Sequence, residues 1–362
     1  MLIVDDSPVL QVLLRAVCEG AGYEVRCASH GEQALELLTS YTPDIVTMDV
    51  HMPGIDGYET TARILERYAL PVVVLTASAN VHDAVTAMRA LEAGALAVLE
   101  KPRGLDAPDF NQRIDELLRT LRTLAQVKVV RRQRARERVP ALPGGVSRLA
   151  GQASASAPQL VAIAASAGGP AALKSLLQGL HPEQPWALLL VQHIATGFLP
   201  SFCQWLSSVA ALPVRIAEDA QALQPGVLYL APDGYQMGVS AGLRVQLQPP
   251  NGQQFCPSAD HLFHSVARQF GRHAIGIQLS GMGHDGAQGL AELHRQGALT
   301  LVQEPSSALI DSMPRSAIEL QAASQVLPPE EIAAVLNSIA IQMMRQASQG
   351  GSESCTTAPK SS

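Results

Sequence analysis

The sequence lacks the features that would send a protein into a membrane, across one, or onto nucleic acid. No uninterrupted apolar run approaches the ~20 residues that a membrane-spanning helix needs. The N-terminus, "MLIVDDS", meets Asp5 and Asp6 too soon to hold the apolar core of a signal peptide. A net charge of −6 gives no basic footprint over the chain as a whole. The five cysteines (Cys18, Cys27, Cys203, Cys256, Cys355) are odd in number and contain no CxxC pair, which speaks against a disulfide framework and against a zinc ribbon. The resulting expectation is a cytoplasmic protein with no direct membrane insertion and no nucleic-acid partner.

What is present suits ordinary globular packing, with 47% hydrophobic and 16% charged residues. A length of 362 residues points to roughly two domains of 100 to 200 residues. From Leu2 onward, the strand candidates "LIV", "DIVTMDV", "PVVVLTAS" and "LAVLEKP" alternate with helical patterns, which predicts a parallel sheet covered by helices. The first helix starts legibly, with Ser7 as N-cap and Pro8 at the first helical position, and carries Leu10, Leu13, Leu14 and Val17 on one face. A last helix with Phe110, Ile114, Leu117, Leu121 and Leu124 at helical spacing closes a first domain over 1–127. Residues 128–158 read as a linker: "KVVRRQRARER" as a solvated basic extension, then a Pro/Gly/Ser/Ala-rich stretch. A second alternating βα pattern fills 159–347, and 348–362 reads as a disordered tail.

In the first domain, Asp5 and Asp6, Asp49, Thr76 and Lys101 all fall at strand ends, the rim on which open α/β sheets bind ligands. Converging carboxylates repel one another unless a hard cation such as Mg²⁺ sits among them, and a lysine with a hydroxyl suits a phosphoryl group. Singly, each residue has a blander reading as a helix cap or a surface charge. Together, "LIVDDS", "MDVHMPGIDGYE", "LTAS" and "EKP" resemble the receiver domain of bacterial response regulators. That resemblance implies a flavodoxin-like fold, phosphorylation of Asp49 by a histidine kinase, Mg²⁺ held by Asp5, Asp6 and Asp49, and phosphoryl contacts from Thr76 and Lys101. One departure from that pattern is the start, since receivers usually have a few more residues before the first strand, often including a basic one.

The second domain opens on "LVAIAASAGGPAALKSLL", Leu160 to Leu177, an apolar run entering a small-residue turn and then a helix. "GGPAALKS" nearly matches the phosphate-binding pattern GxxxxGK[ST], but Leu173 stands where the second glycine is required, and Pro170 starts the helix before Lys174. The other reading makes Ser166 a nucleophile. It needs a base, a group orienting that base, and N–H donors for an oxyanion. His193 ends the apolar strand "ALLLVQH", and Asp285 follows "AIGIQLSGMGH"; the three converge if their strands are neighbours in one parallel sheet. No GxSxG elbow is present, and the order Ser, His, Asp differs from that of the α/β-hydrolases, although geometry and not order defines a triad. Taken alone, a serine in a glycine turn or a histidine at a strand end is more often structural.

"AIAASAGGP", "LVQHI", "APDGYQM", "CPSADHLFHS", "LSGMGHDGAQG" and "DSMPRSAIE" occur in the order seen in the protein-glutamate methylesterases of bacterial chemotaxis, and this resemblance covers about 159 to 345. It implies a Rossmann-like catalytic domain, so the expected fold is α/β with two doubly wound parallel-sheet domains. The family's roles would fall on Ser166 as nucleophile, His193 as general base and acid, Asp285 as the holder of the His193 tautomer, and the backbone N–H groups of Ala167 and Met282 as oxyanion donors. The implied reaction is hydrolysis of γ-glutamyl methyl esters on chemoreceptor helices to glutamate and methanol, with deamidation of receptor glutamines as a second acyl transfer and no cofactor in this domain. Family members usually have Gly and Thr where this chain has Ala164 and Ala167, and often His where it has Gln236. Those three residues favour the rival reading, a non-enzymatic regulator whose second domain binds a partner; the three triad positions oppose it. Cys256, Asp260, His261 and His264 form no HExxH pattern or second ligand pair, and the resemblance accounts for them without metal.

Overall fold

The computed structural model describes residues 1–76, 88–102, 104, 107–130, 158–250, 252 and 255–353. Residues 131–157 of the expected 128–158 linker, 354–362 of the expected 348–362 tail and the end of "LTAS" lie outside these residues. The first domain is a five-stranded, all-parallel sheet of β1 (Leu2–Val4), β2 (Arg26–Ala28), β3 (Val46–Asp49), β4 (Val72–Thr76) and β5 (Ala97–Glu100), in the order β2-β1-β3-β4-β5. That order is the flavodoxin-like one, with its switch point between β1 and β3. Helices α1 (Pro8–Gly20), α2 (Gly31–Leu37), α3 (Gly57–Tyr68) and α4 (Phe110–Leu124) cover it, and residues 88–93 are also helical. Ser7 caps α1 as its sequence predicts, accepting from the Leu10 N–H, and Leu117, Leu121 and Leu124 are the buried residues of α4. No sequence signal marks β2. This strand is three residues long at the sheet edge, with Arg26 exposed, so it carries neither an apolar run nor an alternation to read.

The second domain is a seven-stranded parallel sheet in the order β14-β13-β12-β6-β7-β9-β8. Its elements are β6 (Leu160–Ala165), α5 (Gly169–Gly179), β7 (Ala187–Gln192), α6 (Leu199–Val209), β8 (Val214–Ile216), β9 (Leu228–Leu230), an antiparallel hairpin of β10 (Gln236–Ser240) and β11 (Arg244–Gln248), α7 (Ala259–Phe270), β12 (Ala274–Gln278), α8 (Ala287–Arg295), β13 (Leu299–Gln303), α9 (Ser312–Glu319), β14 (Gln325–Leu327) and α10 (Pro329–Glu353). Every residue of β6 and β7 is buried, which is why "LVAIAA" and "ALLLVQ" are continuous apolar runs and not alternations. The fold is therefore α/β with two doubly wound parallel sheets, as expected. Helix α10 continues past Ala347 into the stretch read as tail, since no proline interrupts it there.

The two domains meet along helical residues 88–93, β5 and α4 of the first and the strand-end rim of the second. Oε1 of Glu92 accepts from Lys174 Nζ at 3.1 Å and from Trp205 Nε1 at 2.7 Å. Lys174, the residue behind the phosphate-loop likeness, lies inside α5, which begins at Gly169. Ala167, Ala195, Met282 and Leu309 of the second domain pack against the apolar core of the first, and the Val130 N–H donates to the Leu309 carbonyl.

Candidate active site and acidic pocket

Strand β6 lies between β7 and β12, and this adjacency assembles the site. Register carries the strands to one rim: Ala165 pairs with Gln192, Ala164 with Gln278, and the residues that follow are Ser166, His193 and the loop to Asp285. The break between β6 and β12, where the strand order reverses, is the switch point at which such sheets bind ligands. Ser166 is anchored by its N–H to the Ser280 carbonyl at 3.0 Å, and His193 by its N–H to the Ala165 carbonyl at 3.0 Å. Two glycines make the turn possible. Gly168 has φ +75°, and a Cβ on Gly281 would lie 2.8 Å from the Ser166 Cβ and 2.1 Å from Met313 Sδ.

His193 Nε2 lies 2.9 Å from Asp285 Oδ2, which assigns Nε2 the proton and leaves Nδ1 as the basic nitrogen. Asp285 is buried and also accepts from Ser258 Oγ at 2.9 Å, the Ala259 N–H at 2.7 Å and the Asp260 N–H at 3.0 Å. Burial opposes its ionisation, but the bond and charge of His193 and the N–H groups of Asp260 and Ala259 outweigh this, so its pKa lies below the ordinary carboxylate value. Phe255 stacks on the His193 ring, centroids 5.0 Å apart and planes 12° from parallel. The side-chain amide of Gln192 ties the two halves together, donating to the carbonyls of Ser166 and His193, each at 2.9 Å.

Ser166, Ala167, His193 and Met282 share the wall of a cavity of about 320 Å³, whose other wall is Leu99, Arg119 and their neighbours from the first domain. Among the described residues, the N–H groups of Ala167 and Met282 donate to no protein acceptor, and no hydrogen bond joins Ser166 Oγ to the His193 ring. Ser166 is 9% exposed beneath the first domain. Catalytic hydrogen bonds commonly tighten only when substrate is bound.

The acidic pocket lies on the first sheet, where β1 and β3 end. Oxygen atoms of Asp5, Asp6 and Asp49 all come within 4.8 Å of one another. Lys101 Nζ lies 2.8 Å from Asp5 Oδ2 and 2.8 Å from Asp49 Oδ1, offsetting their repulsion. Burial pushes the Asp5 pKa up, and Lys101 and the Ser7 N–H only partly counter it; Lys101, which burial alone would lower, is held above the ordinary lysine value by Asp49 and Asp5. Among the described residues the buried Thr76 hydroxyl, at the end of β4 next to β3, has no hydrogen-bond partner, which leaves it a donor for a ligand. An all-oxygen carboxylate set with a spare hydroxyl and an ammonium fits a hard divalent cation and a phosphoryl group.

Sequence reasoning missed Phe255, Ser258, Gln192 and the Glu92 contacts. Ser258 had a readable signal, an N-cap serine before the apolar spacing of Leu262, Phe263 and Val266, but nothing in it says that the capped helix faces a carboxylate. The cluster of Cys256, Asp260, His261 and His264 serves this support in part, since Asp260 Oδ1 accepts from the Gly289 N–H at 2.7 Å.

Comparison with known proteins agrees across both domains. Residues 1–114 match the response regulator receiver domain and residues 161–336 the CheB methylesterase family. The protein-glutamate methylesterase/protein-glutamine glutaminase 3 of Hahella chejuensis is 48% identical over 348 residues, 94% of this chain and 99% of that protein. The corresponding protein 1 of Syntrophus aciditrophicus is 41% identical over 346 residues, 94% of this chain and 98% of its own. The crystal structure of the Thermotoga maritima CheB methylesterase catalytic domain is 29% identical with a TM-score of 0.49, covering 50% of this chain and 98% of that one.

Proposed function

Since this chain belongs to the protein-glutamate methylesterase/protein-glutamine glutaminase family, with a receiver domain ahead of its hydrolase domain, we propose that it is a phosphorylation-regulated hydrolase of γ-glutamyl methyl esters on chemoreceptor helices in the cytoplasm. The observation that carries the reading is the pairing of His193 Nε2 with the buried Asp285 at the rim beside Ser166. Ser166 Oγ attacks the ester carbonyl while His193 Nδ1 takes its proton. The oxyanion is held by the N–H groups of Ala167 and Met282, and collapse expels methanol as His193 returns the proton to the leaving oxygen. Water then attacks the acyl-enzyme, His193 removes its proton, and glutamate leaves as Ser166 regains its hydroxyl. With a glutamine substrate the same steps release ammonia. Asp285 stays ionised throughout and holds the imidazole in the tautomer whose Nδ1 is basic. Ala167 retains the backbone donor, so the lack of a hydroxyl at this position leaves the oxyanion site intact.

A fluorophosphonate, which phosphonylates activated serines, tests the nucleophile directly. One adduct located on Ser166 by mass spectrometry, and absent from the His193→Ala chain, is the expected outcome. Labelling at another serine, or none, contradicts it.

In the receiver, Asp49 accepts the phosphoryl group from a histidine kinase, with Thr76 and Lys101 contacting it. Asp5, Asp6 and Asp49 would hold Mg²⁺, which would offset the charge of the incoming phosphoryl oxygens. Phosphorylation by acetyl phosphate is expected to require Mg²⁺ and to vanish in Asp49→Asn, as followed by the acid-labile, hydroxylamine-sensitive phosphoprotein. A stable phosphoryl group on the Asp49→Asn chain would place the acceptor elsewhere.

A further inference from the structure

We propose that Gln236 is a positioning residue for hydrolysis, one amide that clamps both ends of the segment from Phe255 to Ser258 and thereby sets the stacking face and the carboxylate partner of His193. Gln236 is completely buried at the start of β10. Its Nε2 donates to the Phe255 carbonyl at 2.7 Å, and its Oε1 accepts from the Ser258 N–H at 2.8 Å. The two ends so fixed are the two that reach the site: Phe255 stacks on His193, and Ser258 caps α7 and donates to Asp285 Oδ1. The N–H groups of Ala259 and Asp260, next in the chain, complete the cradle of that carboxylate.

The amide is itself held by a firm support. Ser265 of α7 accepts from the Val239 N–H at 2.9 Å and donates to the Val239 carbonyl at 3.2 Å, locking β10 onto the helix whose N-terminus Gln236 positions. A Cβ on Gly238 would lie 2.7 Å from Ser265 Oγ, so strand and helix are in close contact. The Gln236 side-chain amide bonds to Phe255 and Ser258 and to none of Ser166, His193 or Asp285, so it acts through those two residues. Misplacing a catalytic group by about 1 Å can cost on the order of 100-fold in rate. The inference rests on the reading of Ser166, His193 and Asp285 given above.

The chemistry of the clamp dictates the variants. Gln236→Leu removes donor and acceptor together. Gln236→Glu keeps the shape and the acceptor for Ser258 but turns an oxygen toward the Phe255 carbonyl. Gln236→His restores one donor and one acceptor on a single planar group, because a neutral imidazole has one of each. The assay is p-nitrophenyl acetate hydrolysis by the full chain with Mg²⁺ and acetyl phosphate in every sample, with the Tm recorded. Ring-nitrogen NMR of ¹⁵N-labelled histidine reports the His193 tautomer, its signals identified by their loss in His193→Ala.

For Gln236→Glu and Gln236→Leu, kcat is expected to fall by about 10- to 100-fold with KM within about twofold. The His193 signal should pass from one Nε2-protonated form to mixed tautomers, and Gln236→His should recover most of the rate. A wild-type kcat and ring signature in Gln236→Glu overturns the proposal, even if Gln236→Leu does not fold. So does a rate loss confined to KM with the tautomer unchanged. Ser166→Ala in the same assay separates the two readings. If it retains full activity, the triad reading fails, and the clamp is then judged on the ring signature of His193 alone.

Discussion

Replacing Ser166 with alanine is expected to lower methanol release from methylated receptor by a factor on the order of 10⁴ to 10⁶, and adding His193→Ala or Asp285→Asn to that chain is expected to lower it no further. The non-additivity is the informative part, because groups that act as one unit are already disabled when the first is removed. Asp285→Asn alone has a double effect. Its amide can present N–H where His193 needs an acceptor, which favours the wrong tautomer and costs about 10⁴ in kcat. It also leaves donors from Ser258, Ala259 and Asp260 facing a group that cannot accept from all of them, a loss of roughly 1–3 kcal/mol in stability. Losses that multiply freely across the three positions would show that they do not form one catalytic unit.

The lowered pKa of Asp285 adds a signed expectation for stability. A carboxyl more acidic in the folded than in the unfolded chain contributes its full stabilisation above the ordinary carboxylate range. That contribution is lost as pH falls through the range and on through the lowered folded value. The Asp285→Asn chain should therefore show a shallower fall of Tm with acid than the unaltered chain. Identical slopes in thermal melts would mean that the bonds to His193 and the α7 N-terminus do not favour the ionised form.

How much of this was legible in the sequence depends on how far apart the partners lie in it. The Ser7–Pro8 start of α1 and the unbroken apolar runs of β6 and β7 are local signals, and each formed the element it predicts. The convergence of Ser166, His193 and Asp285 was conditional on strand neighbours, a matter of topology that β7-β6-β12 adjacency supplies. Which imidazole nitrogen meets Asp285 has no sequence signal at all, because both tautomers are compatible with the same residue types. Gln236 shows the same limit. It is visible as a departure from the resembled family, but its bonds to Phe255 and Ser258 arise only when the β10–β11 hairpin folds back beside α7. The local pattern around Lys174 resembles a phosphate loop, but its partner, Glu92, lies in the other domain.

Deleting the receiver is expected to raise basal hydrolysis by roughly tens-fold, and Glu92→Gln in the full chain is expected to raise it by a smaller factor in the same direction. The cavity at Ser166 is walled on one side by Leu99, Arg119 and other receiver residues, and on the proposed function a methylated helix would reach the serine only once the receiver moves. Thr76 and Lys101 bracket two of the three receiver elements on that wall: residues 88–93 and β5 lie between them in the chain, α4 follows, and Thr76 pairs with Glu100 in the sheet. If Thr76 and Lys101 contact the phosphoryl group as proposed, phosphorylation bears on the segment that walls the site. A signal shifts such an equilibrium only by its differential interaction with the two states, and reversal from 1:99 to 99:1 needs about 5.5 kcal/mol. One phosphoryl group is expected to supply part of that, hence partial activation. Glu92→Gln keeps an oxygen for Trp205 Nε1 but removes the charge facing Lys174, a half-exposed pair worth about 0.5–1 kcal/mol after screening, or roughly a two- to fivefold rise in the open form. Methanol release by a fragment starting near Ala155, by the Glu92→Gln chain, and by the full chain before and after phosphorylation gives the comparison. High salt should narrow the gap between Glu92→Gln and the unaltered chain, because it weakens the same ion pair. Equal basal rates for fragment and full chain, with no gain on phosphorylation, would mean that the receiver does not guard Ser166 and that its contact with the rim serves to place the enzyme on its substrate.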